Sequence, residues 1–253
     1  MITEQGVWVP ETIHVPGAAE KLSMQNDEHL VIAAGIINEG GIGAIGFNGP
    51  YGLFGHAHRP EVAEKIHVAK NRPLDRKLIL TAAPEDLGEY VDLKACHYSL
   101  DQMVELQKRV HALGLRLPAS EDAPGHLVLD GTIVNIWTEY EPMRKLMRYH
   151  RELGGKAFVG TSANKSGQPT HFRADEVWGD FKQDVDFVLL DGDYDHLPEK
   201  RRMSTSIIDL TTDRARLHRE GNVTEDELRP VLKGLGFGDL QVDERTIRVK
   251  PRA

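Results

Sequence analysis

Lys70 and Arg72 stand two positions apart in the segment AKNRP, with a proline directly after the arginine. An extended backbone there aims both cations at one polyanion. The guanidinium offers a planar fork of donors and the ammonium a mobile point charge, a division suited to a chain of phosphates. A second segment, VGTSANKSGQP from Val159 to Pro169, alternates Ser162 and Asn164 at a strand end and so presents a hydroxyl and an amide toward one face. A third, RRMSTSIIDL from Arg201 to Leu210, places Ser204 and Thr205 before an apolar strand. The basic cluster Lys200, Arg201 and Arg202 beside them reads either as a phosphate- or RNA-attracting patch or as a solvated turn. Each segment sets polar donors in a loop next to a strand or helix end, where phosphate is readily held.

The elements that must carry these loops alternate between helical and strand patterns, which predicts an α/β domain with a mixed sheet. Helices are expected over Asp27 to Asn38, Arg59 to Lys70, from Ser99 toward Gly114, Glu141 to Leu153, Ala174 to Phe181, and after Thr224, where Glu227 sits at capping-box spacing. Strands are expected over Ile42 to Phe47, Lys77 to Ala83, Lys156 to Thr161, Val185 to Asp191, Ser206 to Leu210 and Arg214 to Arg219. In HLVLDGTIVNIW the pair Asp130-Gly131 suits a type I′ turn, so an antiparallel hairpin is expected around it. No linker or repeat divides the chain. The expectation is one domain over residues 27–235, an N-terminal extension over 1–26 that holds Trp8, Pro10, Pro16 and Gly17, and a tail or peripheral strand over 236–253.

The 253 residues carry 31 Lys+Arg against 39 Asp+Glu, a formal net charge of −8, which argues against a protein that coats nucleic acid broadly. The single cysteine, Cys96, excludes an intrachain disulfide framework and any multi-cysteine metal site built by one chain. No apolar run approaches the ~20 residues of a membrane span, and the start MITEQGVWVPE lacks a basic stretch followed by an apolar one, so a cytoplasmic protein is expected. Gly41, Gly43 and Gly46 spell G-x-G-x-x-G, but they lie within and before a strand instead of opening a helix, which counts against a dinucleotide site. GTSANKS lacks the glycine before the lysine that a Walker loop requires. His56 and His58 lack a third ligand at recognisable spacing, so no metal site is assigned. The neighbours Cys96 and His97 do not make a nucleophile and base by adjacency.

The ordered set of segments resembles the YrdC/YciO family, whose best-known members are threonylcarbamoyl-AMP synthases. The resemblance runs from about Asp27 to Leu228 and rests on Tyr51-Gly52-Leu53, Lys70-x-Arg72-Pro73, the Leu-Ile-Leu strand that follows, Thr161-Ser162-Ala163-Asn164 with Ser166-Gly167, Ser204-Thr205, and Arg219-Glu220-Gly221. It implies a single YrdC-like domain, a twisted mixed α/β sheet with flanking helices around a deep basic groove. There ATP with Mg²⁺, bicarbonate and threonine would yield threonylcarbamoyl-AMP and pyrophosphate for transfer-RNA modification. By the resemblance, Lys70 and Arg72 are catalytic and hold phosphate or developing carbamoyl-phosphate charge. Ser162, Asn164 and Arg219 join them in binding the nucleotide, Tyr51 and Ser204 bind substrate, and Ser204 lies on the amino-acid side of the groove. Partners would be these small molecules, with RNA in the basic groove as a further possibility and no membrane.

The sequence departs from the family on the amino-acid side. Synthases usually read Pro-Thr-Asp-Thr before Val-Tyr-Gly-Leu, whereas this chain reads Gly46-Phe47-Asn48-Gly49 before Pro50-Tyr51-Gly52-Leu53, without either threonine. An Arg-x-Pro that helps bind the amino-acid carboxylate is expected after the hairpin, where VNIW stands with Asn135. Two readings follow: a carbamoyl-adenylate-forming enzyme whose acceptor is threonine held by altered contacts or another amino acid, or a nucleotide- or RNA-binding module of the same fold without turnover.

Overall fold

A computed structural model describes residues 19–249 apart from 195, 199 and 200, so Trp8, Pro10, Pro16, Gly17 and Lys200 lie outside the described residues. In chain order the elements are β1 (Glu20–Ser23), α1 (Asp27–Asn38), β2 (Ile42–Gly46), β3 (Tyr51–His56), α2 (Pro60–Ala69), β4 (Ile79–Ala82), α3 (Leu100–Arg109), β5 (Gly114–Pro118), β6 (Thr132–Ile136), α4 (Glu141–Glu152), β7 (Ala157–Ser162), α5 (Ala174–Phe181), β8 (Phe187–Leu190), β9 (Ile207–Asp209), β10 (Arg216–Glu220), α6 (Glu225–Gly234) and β11 (Ile247–Arg248). The fold is mixed α/β, as the alternating patterns predict. Two compact units form: one from the residues up to Leu78 with Tyr140–His196, the other from Ile79–Glu139 with the residues from Leu197 onward.

The helix starts are written in side chains that accept from orphan backbone N–H groups. Asn26 caps α1 by accepting from Glu28 and His29. Ser99 with Gln102, and Thr224 with Glu227, close full capping boxes on α3 and α6. Pro60 opens α2, where its missing N–H costs nothing.

In the first unit the strands run β1-β8-β2-β3-β7. The pairs β1 with β8 and β8 with β2 are parallel, while β2 with β3 and β3 with β7 are antiparallel. Glu20–Ser23 is therefore a sheet strand inside the stretch expected as an extension. β2 is buried along its whole length. Its glycines serve packing: a Cβ at Gly43 would lie 2.1 Å from the Phe187 ring, so the aromatic lies flat on bare backbone. That contact accounts for part of the G-x-G-x-x-G spacing without a nucleotide.

In the second unit the order is β4-β6-β5-β9-β10-β11. Here β6 with β5 and β9 with β10 are antiparallel, and the other pairs are parallel. The expected hairpin is corrected. Asp130 and Gly131 do take positive φ, 50° and 67°, and Leu129 and Thr132 exchange both backbone hydrogen bonds at 2.9 Å. The arm before them is no strand, because Leu127 and Val128 turn back onto Pro124 and Gly125. β6 pairs instead with β5, an earlier segment. Among the described residues, no helix is long and apolar enough to cross a membrane.

Candidate functional site

Helix α2 ends on the segment that carries the two cations. Lys70 is its C-cap, and Asn71 then takes φ 51°, a left-handed conformation that asparagine tolerates. The turn sends the Lys70 side chain, only 4% exposed, into the loop that follows β7. Its Nζ donates to the main-chain oxygen and the Oδ1 of Asn164, each at 2.9 Å, to Ser162 Oγ at 3.3 Å, and to the Ser162 main-chain oxygen. The loop grips the helix end in return. Ser166 N donates to Lys70 O at 2.9 Å, and Lys165 Nζ donates to Ala69 O at 2.7 Å and to Asp184 Oδ2 at 2.6 Å.

Ser162 and Asn164 complete the clamp. Ser162 Oγ donates to Asn164 Oδ1 at 2.6 Å, and Asn164 Nδ2 donates to the carbonyls of Gln168 at 2.6 Å and Lys165 at 3.0 Å. Arg72 reaches the same strand end, with Nη1 on Thr161 Oγ1 at 3.0 Å and Nη2 on Lys77 O at 3.1 Å. The structure thus brings four of the expected residues, Lys70, Arg72, Ser162 and Asn164, into one cluster. It adds Thr161, whose role as the partner of Arg72 the motif spacing did not reveal.

Burial pushes the Lys70 ammonium down to about 7, with the Arg72 charge adding to the effect. Burial also lowers Arg72, helped by Arg76. The oxygens around Nζ suit the ammonium, so an anion approaching the cluster favours the protonated form further. What results is positive charge and oriented polar groups on rigid elements, with the Lys70 charge completed when an anion binds. That is what phosphoryl chemistry asks of a protein. Among the described residues, no three His, Cys, Asp or Glu side chains gather to hold a metal ion.

Tyr51 stands apart from the cluster in its side chain. It is wholly buried, and its hydroxyl donates to Gly192 O at 2.9 Å and accepts from Asp191 N at 3.0 Å. Burial lifts its pKa to about 12. Its main chain does reach the loop, since Ala163 N donates to Tyr51 O at 2.7 Å.

Ser204 and Arg219 belong to the second unit. The β9–β10 register shifts between Leu217 and Arg219, which makes His218 an extra residue and brings Arg219 opposite Ile207. Such a bulge re-aims the side chains that follow it. Arg219 then shares a sheet face with Arg216 and Asp209, and its Nε donates to Thr205 O at 2.7 Å. A Cβ at Gly221 would lie 1.9 Å from Ser204 O, so the glycine of Arg219-Glu220-Gly221 lets the two segments touch.

The missing Arg-x-Pro is also corrected. Asn135, which stands where that triplet is expected, is 2% exposed and accepts from Ala82 N at 3.0 Å in the interior between β4 and β6. The triplet occurs earlier, as Arg116-Leu117-Pro118 in β5, with Arg116 opposite Val134 of β6. Arg116 Nε donates to Thr132 Oγ1 at 2.8 Å and its Nη1 lies 3.7 Å from Asp209. Burial would raise the Asp209 carboxyl, but hydrogen bonds from Thr211 and Arg216 hold it below its usual range.

The remaining candidates carry no catalytic geometry. The His56 ring packs 5.0 Å from that of His150 and 6.2 Å from that of His58, and burial lowers His56 and pushes His150 down to about 3. Burial and then Asp92 raise the Cys96 thiol to about 11, so it is no ready nucleophile.

Comparison with known proteins gives these shapes a context. The model of the Sua5/YciO/YrdC family, described as "Telomere recombination", matches residues 35–221. The threonylcarbamoyl-AMP synthase of Bacillus subtilis (strain 168) is 26% identical over 223 residues, which cover 87% of this chain and 59% of that protein. The threonylcarbamoyl-AMP synthase of Pyrococcus abyssi (strain GE5 / Orsay) is 30% identical over 206 residues, covering 79% and 56%. The chain therefore spans little more than half the length of these relatives. Among solved structures it is similar to P. abyssi Sua5 complexed with L-threonine, with TM-score 0.73, 26% identity, and coverage of 89% of this chain and 62% of that one. Its likeness to E. coli YciO, TM-score 0.64 at 19% identity over 81% of this chain and 94% of that one, is a likeness of fold.

Proposed function

The chain belongs to the Sua5/YciO/YrdC family, and on that premise we propose that it is an ATP-using enzyme that forms a carbamoyl-adenylate from ATP, bicarbonate and an amino acid. Two relatives named threonylcarbamoyl-AMP synthase support the reaction class. The observation that carries the reading is the clamp in which Lys70 Nζ meets Ser162 and both oxygens of Asn164 while Arg72 holds Thr161. Residues from two distant segments are locked there around positive charge.

In the proposed reaction the amine of the amino acid takes up bicarbonate with loss of water, giving a carbamate. A carbamate oxygen attacks the α-phosphorus of ATP, the bond to the bridging oxygen breaks, and pyrophosphate leaves. Arg72 holds the phosphates, the Lys70 charge, its N–H donors spent on Ser162 and Asn164, offsets from behind the loop the charge that grows on the leaving group, and Ser162 and Asn164 fix the nucleotide. Mg²⁺ enters as part of the substrate, carried on the phosphates. Arg219 is a further nucleotide contact and Ser204 an amino-acid contact in this proposal, each testable by its own substitution. Transfer-RNA modification is the use the family suggests for the product.

The acceptor follows from two features. Arg116-Leu117-Pro118 supplies the arginine expected for an α-carboxylate, so an amino acid remains the acceptor class. The turn Gly46-Phe47-Asn48-Gly49 has no threonine hydroxyl to meet a substrate hydroxyl, and the Phe47 side chain makes no hydrogen bond. Free threonine is therefore a poor acceptor, and a less polar amino acid a better one. Pyrophosphate release with ATP, Mg²⁺, bicarbonate and a panel of amino acids tests the reading. Absence of release with every amino acid tried, despite measurable ATP binding, would favour a module without turnover.

A further inference from the structure

Asp191, directly after β8, gathers contacts that the proposed chemistry does not use. Its Oδ2 accepts from the Asn48 main-chain N–H at 2.7 Å and from the Tyr194 hydroxyl at 2.5 Å. Its Oδ1 accepts from Gln25 Nε2 at 3.1 Å and from the Tyr140 hydroxyl. Its own N–H donates to the Tyr51 hydroxyl. A carboxylate only accepts when ionised, and here four donors from four separate stretches of chain converge on one.

The β2–β3 turn is what this arrangement holds in place. Asn48, at the turn, has φ 56°, and its N–H is tied to Asp191 Oδ2. A Cβ at Gly46 would lie 2.5 Å from Asp191 Cβ, so the start of the turn is pressed against the same residue. Tyr51, which ends the turn, is fixed through the Asp191 N–H and the Gly192 carbonyl. Phe47, between these anchors, sets its ring edge against Phe54 with centroids 5.8 Å apart. Burial, and then Asp191 itself, raise the Tyr140 and Tyr194 phenols, which keeps both as donors.

We infer that Asp191 is the positioning residue of the turn from Phe47 to Pro50 and through that turn sets which amino acid the enzyme accepts. The inference rests on the proposed function, which puts the amino acid beside this turn. Charge-assisted hydrogen bonds from several directions give one conformation to a segment that holds two glycines, Gly46 and Gly49. The selectivity of the turn is thus built by residues far from it in sequence.

The test compares the wild type with Asp191→Ala and, as a milder change that leaves the carboxylate in place, Tyr194→Phe. Two readouts are taken: hydrogen exchange of the Asn48 amide, and KM for ATP and for the best amino acid in the pyrophosphate assay. Asp191→Ala is expected to speed Asn48 exchange at least tenfold and to raise the amino-acid KM at least tenfold, with KM for ATP changed less than twofold. Tyr194→Phe is expected to give the same split at about threefold, and it decides the matter if Asp191→Ala does not fold. Unchanged Asn48 exchange overturns the positioning role, and equal losses for ATP and amino acid reduce Asp191 to a structural residue. A wild type that releases no pyrophosphate overturns the enzymatic reading and with it the selectivity claim, while the exchange readout still judges the hold on the turn.

Discussion

The Lys70 ammonium lies 2.9 Å from both the main-chain and the side-chain oxygen of Asn164, 94 positions along the chain. A lysine at the end of one helix thereby shapes the loop after a strand, and the residues that would receive phosphate are organised before any phosphate arrives. Preorganised donors of this kind need no rearrangement when charge develops.

Replacing Lys70 with Met should damage fold and function together. The carbonyls of Ser162 and Asn164 would lose a buried donor, at a cost of about 2 kcal/mol, equivalent to a melting temperature lower by roughly 4–8 °C for a chain of this size. ATP affinity should fall at least tenfold, or ~1.4 kcal/mol. Calorimetry of both properties checks this. A variant with wild-type ATP affinity would remove Lys70 from the phosphate site.

Binding of ATP should take up a proton at slightly alkaline pH. Burial holds the Lys70 ammonium at about 7 in the free protein, and a bound polyanion raises it, so between those two values binding protonates the lysine. Affinity is then flat below about pH 7 and falls as pH rises above it. Titration calorimetry at pH 8 in buffers of different ionisation enthalpy should show the uptake in the wild type and not in Lys70→Met.

Arg116 should matter for the amino acid and little for ATP. Loss of a charge-assisted pair to a carboxylate costs about 1.5–3 kcal/mol, or roughly tenfold to a hundredfold in affinity. Arg116→Ala leaves Asp209 paired with Arg216 at 2.8 Å, so the strands should stay in place. The expected result is a raised amino-acid KM with KM for ATP near that of the wild type. An unchanged amino-acid KM would remove the arginine from the carboxylate.

Gly43→Ala probes the glycine pattern. The added Cβ meets the Phe187 ring at 2.1 Å, and overpacking of this kind costs about 1–3 kcal/mol. Phe187→Leu in the same chain should restore part of that loss. Denaturant melts of the two single variants and the double variant measure the coupling, and additive losses would contradict the packing account.

The helices were legible because their boundaries are local chemistry: Ser99 with Gln102 and Thr224 with Glu227 lie where the capping boxes form. β3 carries a weak signal, since Gly52 and Gly55 dilute the apolar alternation that marks a strand. The partner of β6 is not legible, because a suitable Asp130-Gly131 turn says nothing about whether the arm before it stays extended. At the site, Lys70, Arg72, Ser162 and Asn164 could be read from the order of motifs. That Lys70 is engaged by the loop could not, because the contact joins segments that only folding brings together. Arg116 is hard to read because its Arg-x-Pro lies before the Asp130-Gly131 turn and not after it. The convergence on Asp191 leaves no local sequence signal, since Gln25, Asn48, Tyr140 and Tyr194 share no motif.

Turnover at the Lys70 cluster is decided by pyrophosphate release from purified protein with ATP, Mg²⁺ and bicarbonate across a panel of amino acids. Release is expected to require both bicarbonate and an amino acid, to be slow with sub-millimolar threonine and faster with a less polar amino acid, and to drop at least tenfold in Lys70→Met. Absence of release with every amino acid, in a protein that still binds ATP, would contradict the claim. Robust threonylcarbamoyl-AMP formation at sub-millimolar threonine would preserve the enzyme and contradict the reading of its turn.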